Sequence, residues 1–430
     1  MSASHYREFL STAVAPGIRL FALPTDRFKT VRVRVFLCDA LRPVDATRNS
    51  LLAYVLRAGS QQYPSRRDLA RACEDLYGAS VSVGVTRFGD VQALAASAEF
   101  PADRFLPKGS DELHGVLDLL SGMILRPALE PAGTGSTLRA ETVTQEKDQL
   151  RNELQGMRDE KPAWAAWLAS QRIYAGTPGA IAEQGRIEDL PAIDGPALLA
   201  RHQLLLRNAR MFAFVTGPVD PEKGLAALAK HLALPRGKRQ TLPLAKPLAA
   251  RKTVSRGRVR EKTEQTHLIS AWSGAPLYGT PAFAPMLFAD GIFGGFSFSR
   301  LFKIVRETHG LAYAVSSHFG RSRGVMIAQA AVDPGKADQA AKLIRSEFAR
   351  LAKGGFTAEE FSACRDSLIE ARRSAWDSPS ARVMDCMLQA TMGFKQTPEQ
   401  QLKAIRAVKP AQVMAVLKKL KPHTEFRYGT

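Results

Sequence analysis

Cysteine is scarce and ungrouped in this 430-residue chain: Cys38, Cys73, Cys364 and Cys386 stand far apart, with no CxxC spacing. That excludes a zinc ribbon or a dense disulfide framework and leaves buried thiols. No apolar run approaches the roughly 20 residues that a bilayer-spanning helix needs. The opening MSASHYREFLSTAVAPGIRL has no basic start followed by an unbroken apolar segment, so no secretory leader is expected and the cytoplasm is the expected location. The G-x-S-x-G elbow, the P-loop and the dinucleotide fingerprint are also missing, and Gly294-Gly295 reads as a turn rather than a phosphate cradle. Among His5, His114, His202, His231, His267, His309, His318 and His423 no two stand at i, i+3 or i, i+4, and none forms H-E-x-x-H. His309 and His318 straddle one turn and are the only pair placed to approach each other locally.

Basic charge, in contrast, is plentiful. The formal net charge of +19 would suit an acidic partner. Arginine is scattered along every segment, however, with one denser run, RKTVSRGRVREK at 251–262, and no aromatic residues are interleaved as base stacking requires. A solvated basic surface is therefore expected, with neither nucleic acid nor membrane as partner. The 45% hydrophobic and 23% charged content is that of an ordinary globular protein, and the length predicts two or more domains.

Strands are predicted over 18–23 and 31–37, where Val31, Val33 and Val35 alternate with Arg32 and Arg34. Helices follow over 46–57 and from the N-cap Ser65 to Gly78, then a hairpin over 80–86 and 91–99. Helices over 113–125, 137–157 and 195–206, a strand over 211–216 and a helix opening near Pro221 complete a first half, 1–235. The polar, proline-containing stretch 236–264 reads as a linker. A second half, 265–430, repeats the order: strand 266–272, helix 282–293, partner strand 324–332, then helices over 336–352, 357–375, 397–408 and 410–420. Thr357 and Glu360 form a capping-box pattern in the third of these elements' helices. LYGASVSVG at 76–84 falls opposite LAYAVSSHF at 311–319, which suggests a duplicated α+β unit.

The stretch 294–317, GGFSFSRLFKIVRETHGLAYAVSS, joins a glycine turn, an amphipathic helix ended by Gly310 and the start of an edge or half-buried strand. Arg306 and Tyr313 are the polar groups that stand out in it. They either converge on a peptide carbonyl, or Arg306 pairs with a carboxylate such as Glu307 while Tyr313 packs in the sheet.

Arg306, Glu307, Gly310, Leu311, Ala312 and Tyr313 resemble the R-E-x-x-G-L-A-Y signature of the pitrilysin/insulinase family of zinc peptidases, which includes mitochondrial processing peptidase. Ala58-Gly59-Ser60 with Tyr63-Pro64 resembles the residues just after that family's metal motif. The resemblance implies an α+β fold: two similar halves, each a mainly antiparallel sheet packed with helices, enclosing a central peptide-binding chamber. Thr308 departs from the basic residue common at its position. The family's H-x-x-E-H places two imidazoles and a glutamate on one helix face to hold zinc and activate water. Here those positions are Ser50, Ala53 and Tyr54, which supply neither ligands nor a base. Val143-Thr144-Gln145-Glu146 resembles the pattern around the third ligand, so Glu146 falls at that position; read from its neighbours Glu141, Lys147 and Arg151, it belongs to a charged helix face.

The expectation is thus a non-catalytic homologue with no catalytic residue and no metal of its own, acting as a peptide-binding or regulatory subunit with Arg306 and Tyr313 as substrate-binding residues. Zinc is expected only in a partner, either a paralogous zinc-bearing subunit or, for a homodimer, none at all. The alternatives are an active metallopeptidase with an atypical metal site and a purely structural scaffold.

Overall fold

In the computed structural model, which describes residues 8–235 and 237–430, the chain divides into two compact units. One comprises Met1–Gly156 with Ile181–Pro243, the other Met157–Ala180 with Leu244–Thr430. His5 and Arg236 lie outside the described residues.

The first unit is built on a six-stranded sheet. Its strands are β1 (Leu10–Ala15), β2 (Ile18–Pro24), β3 (Thr30–Ala40), β4 (Ser80–Phe88) and β5 (Val91–Pro101), a small separate hairpin of β6 (Leu129–Ala132) and β7 (Gly135–Leu138), and β8 (Arg210–Gly217), in the sheet order β1-β2-β8-β3-β5-β4. The valine–arginine alternation in β3 is expressed directly: Val31, Val33 and Val35 are buried, and Arg32 bridges at 2.9 Å to Glu99, its register partner on β5. Around the sheet stand α1 (Pro43–Leu56), α2 (Arg66–Asp75), α3 (Glu112–Leu125) and α4 (Ala140–Gly156). Next in the chain, α5 (Lys161–Ile173) packs in the second unit, after which α6 (Gly195–Asn208) and α7 (Pro221–His231) return to the first. Ser65 caps α2 as expected, accepting from the Asp68 N–H.

The second unit carries β9 (Ser255–Val259), β10 (Thr266–Ser273), β11 (Ala312–Gly320), β12 (Val325–Val332) and β13 (Lys421–Tyr428), in the order β11-β12-β10-β13-β9. Its helices are α8 (Phe283–Asp290), two π-helical segments at Gly291–Gly295 and Leu301–Thr308, and α9 (Ala337–Ala352), α10 (Ala358–Asp377), α11 (Pro379–Met392), α12 (Pro398–Arg406) and α13 (Pro410–Lys419). Every residue of β10 is buried, because both faces of this sheet are covered. Leu268 and Trp272 join the core with Phe293 and Phe348, while Ile269 and Ala271 pack with Ala165 and Ile173 of α5. The capping box at Thr357 and Glu360 forms on α10, and a second forms at Thr397 and Gln400 on α12.

The two sheets share one topology. In the first, β4, β5, β3 and β8 are successively antiparallel and β8 pairs parallel with β2; in the second, β11, β12, β10 and β13 are successively antiparallel and β13 pairs parallel with β9. LYGASVSVG and LAYAVSSHF thus open equivalent edge strands. The stretch 236–264 expected as a linker contains β9, and the chain passes from the first unit to the second within it, between Pro243 and Leu244. Its strand is hidden in the sequence because alternate residues are arginine and the inward positions are only half-buried.

Candidate functional site

On α1 the degenerate positions fall on one turn of a helix that begins at Pro43 and is buried along most of its length. Ser50, Ala53 and Tyr54 are 1%, 1% and 7% exposed. The Ser50 hydroxyl donates to the Ala46 carbonyl at 3.1 Å, and the Tyr54 hydroxyl donates to the Glu153 carboxylate. The Arg57 guanidinium, one turn further on, lies 3.7 Å from the centre of the Tyr54 ring. Burial lowers the Arg57 pKa, against the attraction of Glu146.

Glu146 is not on a solvent-facing stripe. It is 2% exposed on α4, which packs against α1, and its Oε1 is held by Arg66 of α2. The charged neighbours that suggested a wet face, Glu141, Lys147 and Arg151, occupy other sides of the same helix. Its Oε2 is buried without a hydrogen-bond partner. One carboxylate held by Arg66, with a serine, an alanine and a tyrosine that donates elsewhere on the neighbouring helix, does not make a zinc site, which takes three or four nitrogen, sulfur or oxygen ligands. Among the described residues no group of three His, Cys, Asp or Glu side chains is placed to hold a metal. His309 and His318 are both exposed, and no hydrogen bond joins them. The fold instead pairs His114 of α3 with His231 of α7, Nδ1 to Nε2 at 2.9 Å. They are 117 residues apart, so no local spacing announces them.

The stretch 294–317 is anchored from beneath. Leu301 and Val305 are fully buried, and Arg300 is buried between Glu347 of α9 at 2.8 Å and Glu360 of α10 at 3.2 Å. The segment Leu301–Thr308 runs as a wide π-helix, with the His309 N–H reaching the Ile304 carbonyl at 3.1 Å. Gly310, at φ 55°, closes it in the left-handed region that a side chain resists.

The two singled-out side chains point outward. Arg306 is exposed, with its guanidinium 4.6 Å from the centre of the Phe302 ring, and it forms no ion pair with Glu307 or any other carboxylate among the described residues. Tyr313 does not pack into the sheet. The register of β11 on β12 slips between Ala312 and Ala314, so Tyr313 is the extra residue of a bulge and is 60% exposed. Its hydroxyl donates to Asp333 Oδ1 at 3.1 Å, and Lys336 pairs with the same carboxylate at 3.2 Å. Behind the bulge, the Ser317 hydroxyl donates to Asp290 Oδ1 at 2.6 Å, and burial pushes the Asp290 carboxyl up to about 6.

Residues 192–368 match the family model described as Peptidase M16 inactive domain. The chain is 26% identical over 348 residues to the protein named Probable inactive metalloprotease YmfF of Bacillus subtilis (strain 168), covering 80% of each. It is 28% identical over 237 residues to the Uncharacterized zinc protease SCO5738 of Streptomyces coelicolor, 53% of this chain and 51% of that one. Among solved structures, a conserved protein from Enterococcus faecalis V583 superposes with a TM-score of 0.89 at 26% identity, over 98% of both chains. A peptidase M16 inactive domain from Pseudomonas fluorescens superposes with a TM-score of 0.80 at 20% identity, again over 98% of both.

Proposed function

We propose a peptide-holding role for this chain, which is an inactive homologue of the M16 zinc peptidases. The observation that carries the reading is the state of Arg306: an exposed guanidinium, held over an aromatic ring with no internal carboxylate to neutralise it. A guanidinium with no carboxylate on it keeps its fork of donors available to a bound peptide. Tyr313 supports the same reading, since a bulge lifts its phenol out of an edge strand. A guanidinium donates to a peptide carbonyl, a phenol does so once its hydroxyl turns from Asp333, and β11, as the terminal strand of its sheet, offers main-chain groups to an extended peptide.

Holding is favoured over cutting because Ser50, Ala53 and Tyr54 on α1 supply neither a zinc ligand set nor a base. A chain that keeps the carbonyl-binding side and lacks the metal side fits the regulatory or substrate-holding subunit of a heteromer whose partner is a zinc-bearing homologue. Isothermal titration of an unstructured peptide library into wild type and the Arg306→Ala/Tyr313→Phe variant tests the binding role. The double variant should bind about tenfold or more weakly, a loss of roughly 1.4 kcal/mol or more, with an unchanged melting temperature. Equal binding would return both residues to a structural role.

A further inference from the structure

The basic run at 251–262 takes no part in either feature above, and it folds as the terminal strand of the second sheet, at the edge opposite β11. Along β9, Arg256 and Arg258 are exposed while Ser255, Gly257 and Val259 are half-buried, and Val259 packs toward the core containing Phe426 and Tyr428. Arg260 continues the exposed row. The Gly429 N–H donates to the Val259 carbonyl at 3.0 Å, which fixes the set of main-chain groups that β9 turns toward β13. By alternation, the N–H and C=O of Arg256 and Arg258 face the open edge. Arg172 of α5 takes the Arg256 carbonyl, and by the same alternation the N–H and C=O of Arg258 point away from β13.

The side chains beside this edge are unevenly matched. Arg256 at 3.2 Å and Arg345 at 3.5 Å share Glu425, and Arg427 binds Asp338. The Asp338 carboxyl is held below its ordinary pKa first by the hydrogen bond from Arg427, with the charges of Arg258 and Arg345 adding to it. Four guanidinium groups thus surround two carboxylates, and Arg260 extends the surplus along the strand. Charged edges commonly deter strand pairing. A row of one sign deters neutral and basic strands, but it attracts an acidic one.

We propose that β9 is a docking edge for an extended acidic segment of a partner protein. The segment adds as a further strand, with carboxylates at alternate positions against Arg256, Arg258 and Arg260. The repeat of a strand, about 7 Å for every second residue, matches the arginine row. A peptide is favoured over other polyanions because the outward main chain of Arg258 on this terminal strand can extend the ladder, which neither a lipid surface nor a nucleic acid can use. No aromatic side chain stands between the exposed arginines to stack a base. This inference is independent of the reading of Arg306 and Tyr313, which lie on the other edge of the sheet.

The test is fluorescence anisotropy on the full chain with a labelled peptide alternating glutamate and valine. Binding should fall about tenfold or more in Arg256→Gln/Arg258→Gln, which sets no carboxylate opposite Glu425 and should change the melting temperature little because both side chains are exposed. An analogue N-methylated at every second residue, with the same charge, should also lose binding. The proposal is overturned if the peptide does not bind, if the double variant binds it as wild type does, or if the N-methylated analogue binds equally. It is likewise overturned if oligothymidylate or phosphatidylserine vesicles bind more tightly than the peptide through the same two arginines.

Discussion

Glu146 shows how much a single side chain's surroundings matter. Its neighbours in sequence are charged and wet, yet it is buried, with one oxygen on Arg66 and the other without a partner. Arg66 is itself half exposed, so the pair is cheap to solvate on one side and costly to break on the other. Arg66→Ala should therefore destabilise the first unit by about 1–3 kcal/mol, the cost of leaving a buried charged group unmatched. Adding Glu146→Gln should recover a large part of that loss, because the amide carries no charge to desolvate. Urea titrations of the two variants check both statements, and equal stability of the single and double variants would show that Arg66 acts by packing alone. Arg306 is the reverse case, a charge left unmatched at the surface, and its loss should affect ligand rather than fold.

At the scale of elements, the π-helix, the glycine at φ 55° and the bulge at Tyr313 act together: each departs from regular geometry, and jointly they turn two side chains outward from one short span. β13 makes a different point. Its sequence, KPHTEFRY, has a proline, a histidine and three charges in eight residues and gave no strand signal, yet it lies between β10 and β9. His423 on this strand is buried, its Nε2 accepting from Arg251 Nε at 3.0 Å and its Nδ1 lying 2.8 Å from the Thr424 hydroxyl oxygen. Burial first, and then the Arg251 charge, lower its pKa to about 4. Because the folded value is depressed below the usual 6.5 or so, the unfolded chain binds the proton first on acidification. The histidine's contribution to stability is fully present above about pH 6.5 and is lost as pH falls toward 4. The difference in melting temperature between wild type and His423→Gln should shrink over that window; a constant difference would remove His423 from the acid response.

For the molecule as a whole, the repeated sheet topology argues that one α+β unit was used twice and then diverged in chemistry. α1 in the first unit is a buried helix with Ser50, Ala53 and Tyr54 on one turn; the span after α8 in the second presents an exposed cation and a phenol. No helix among the described residues is long and apolar enough to cross a membrane. The purified chain should contain far less than one zinc per molecule by plasma emission spectroscopy, and a chelator should leave its melting temperature unchanged, since no folding energy is tied to metal. Stoichiometric zinc, or chelator-sensitive peptide hydrolysis by this chain alone, would overturn the inactive assignment.

Regular elements with a clean period were legible in the sequence: the β3 alternation and the Ser65 and Thr357 caps are local physics, set by neighbours two to four residues apart, and the end at Gly310 was legible though the π-helical winding before it was not. The identities of Ser50, Ala53 and Tyr54, which supply neither zinc ligands nor a base, were likewise read directly from the chain. What only the tertiary structure decided depends on distant partners. Burial of Glu146 needs α1 and α2 against α4, the His114–His231 contact needs two helices 117 residues apart to meet, and the strand character of β9 and β13 comes from mutual pairing that neither segment encodes by itself. The outward turn of Arg306 and Tyr313 belongs to the same class, because a bulge is a property of two strands in register rather than of either one.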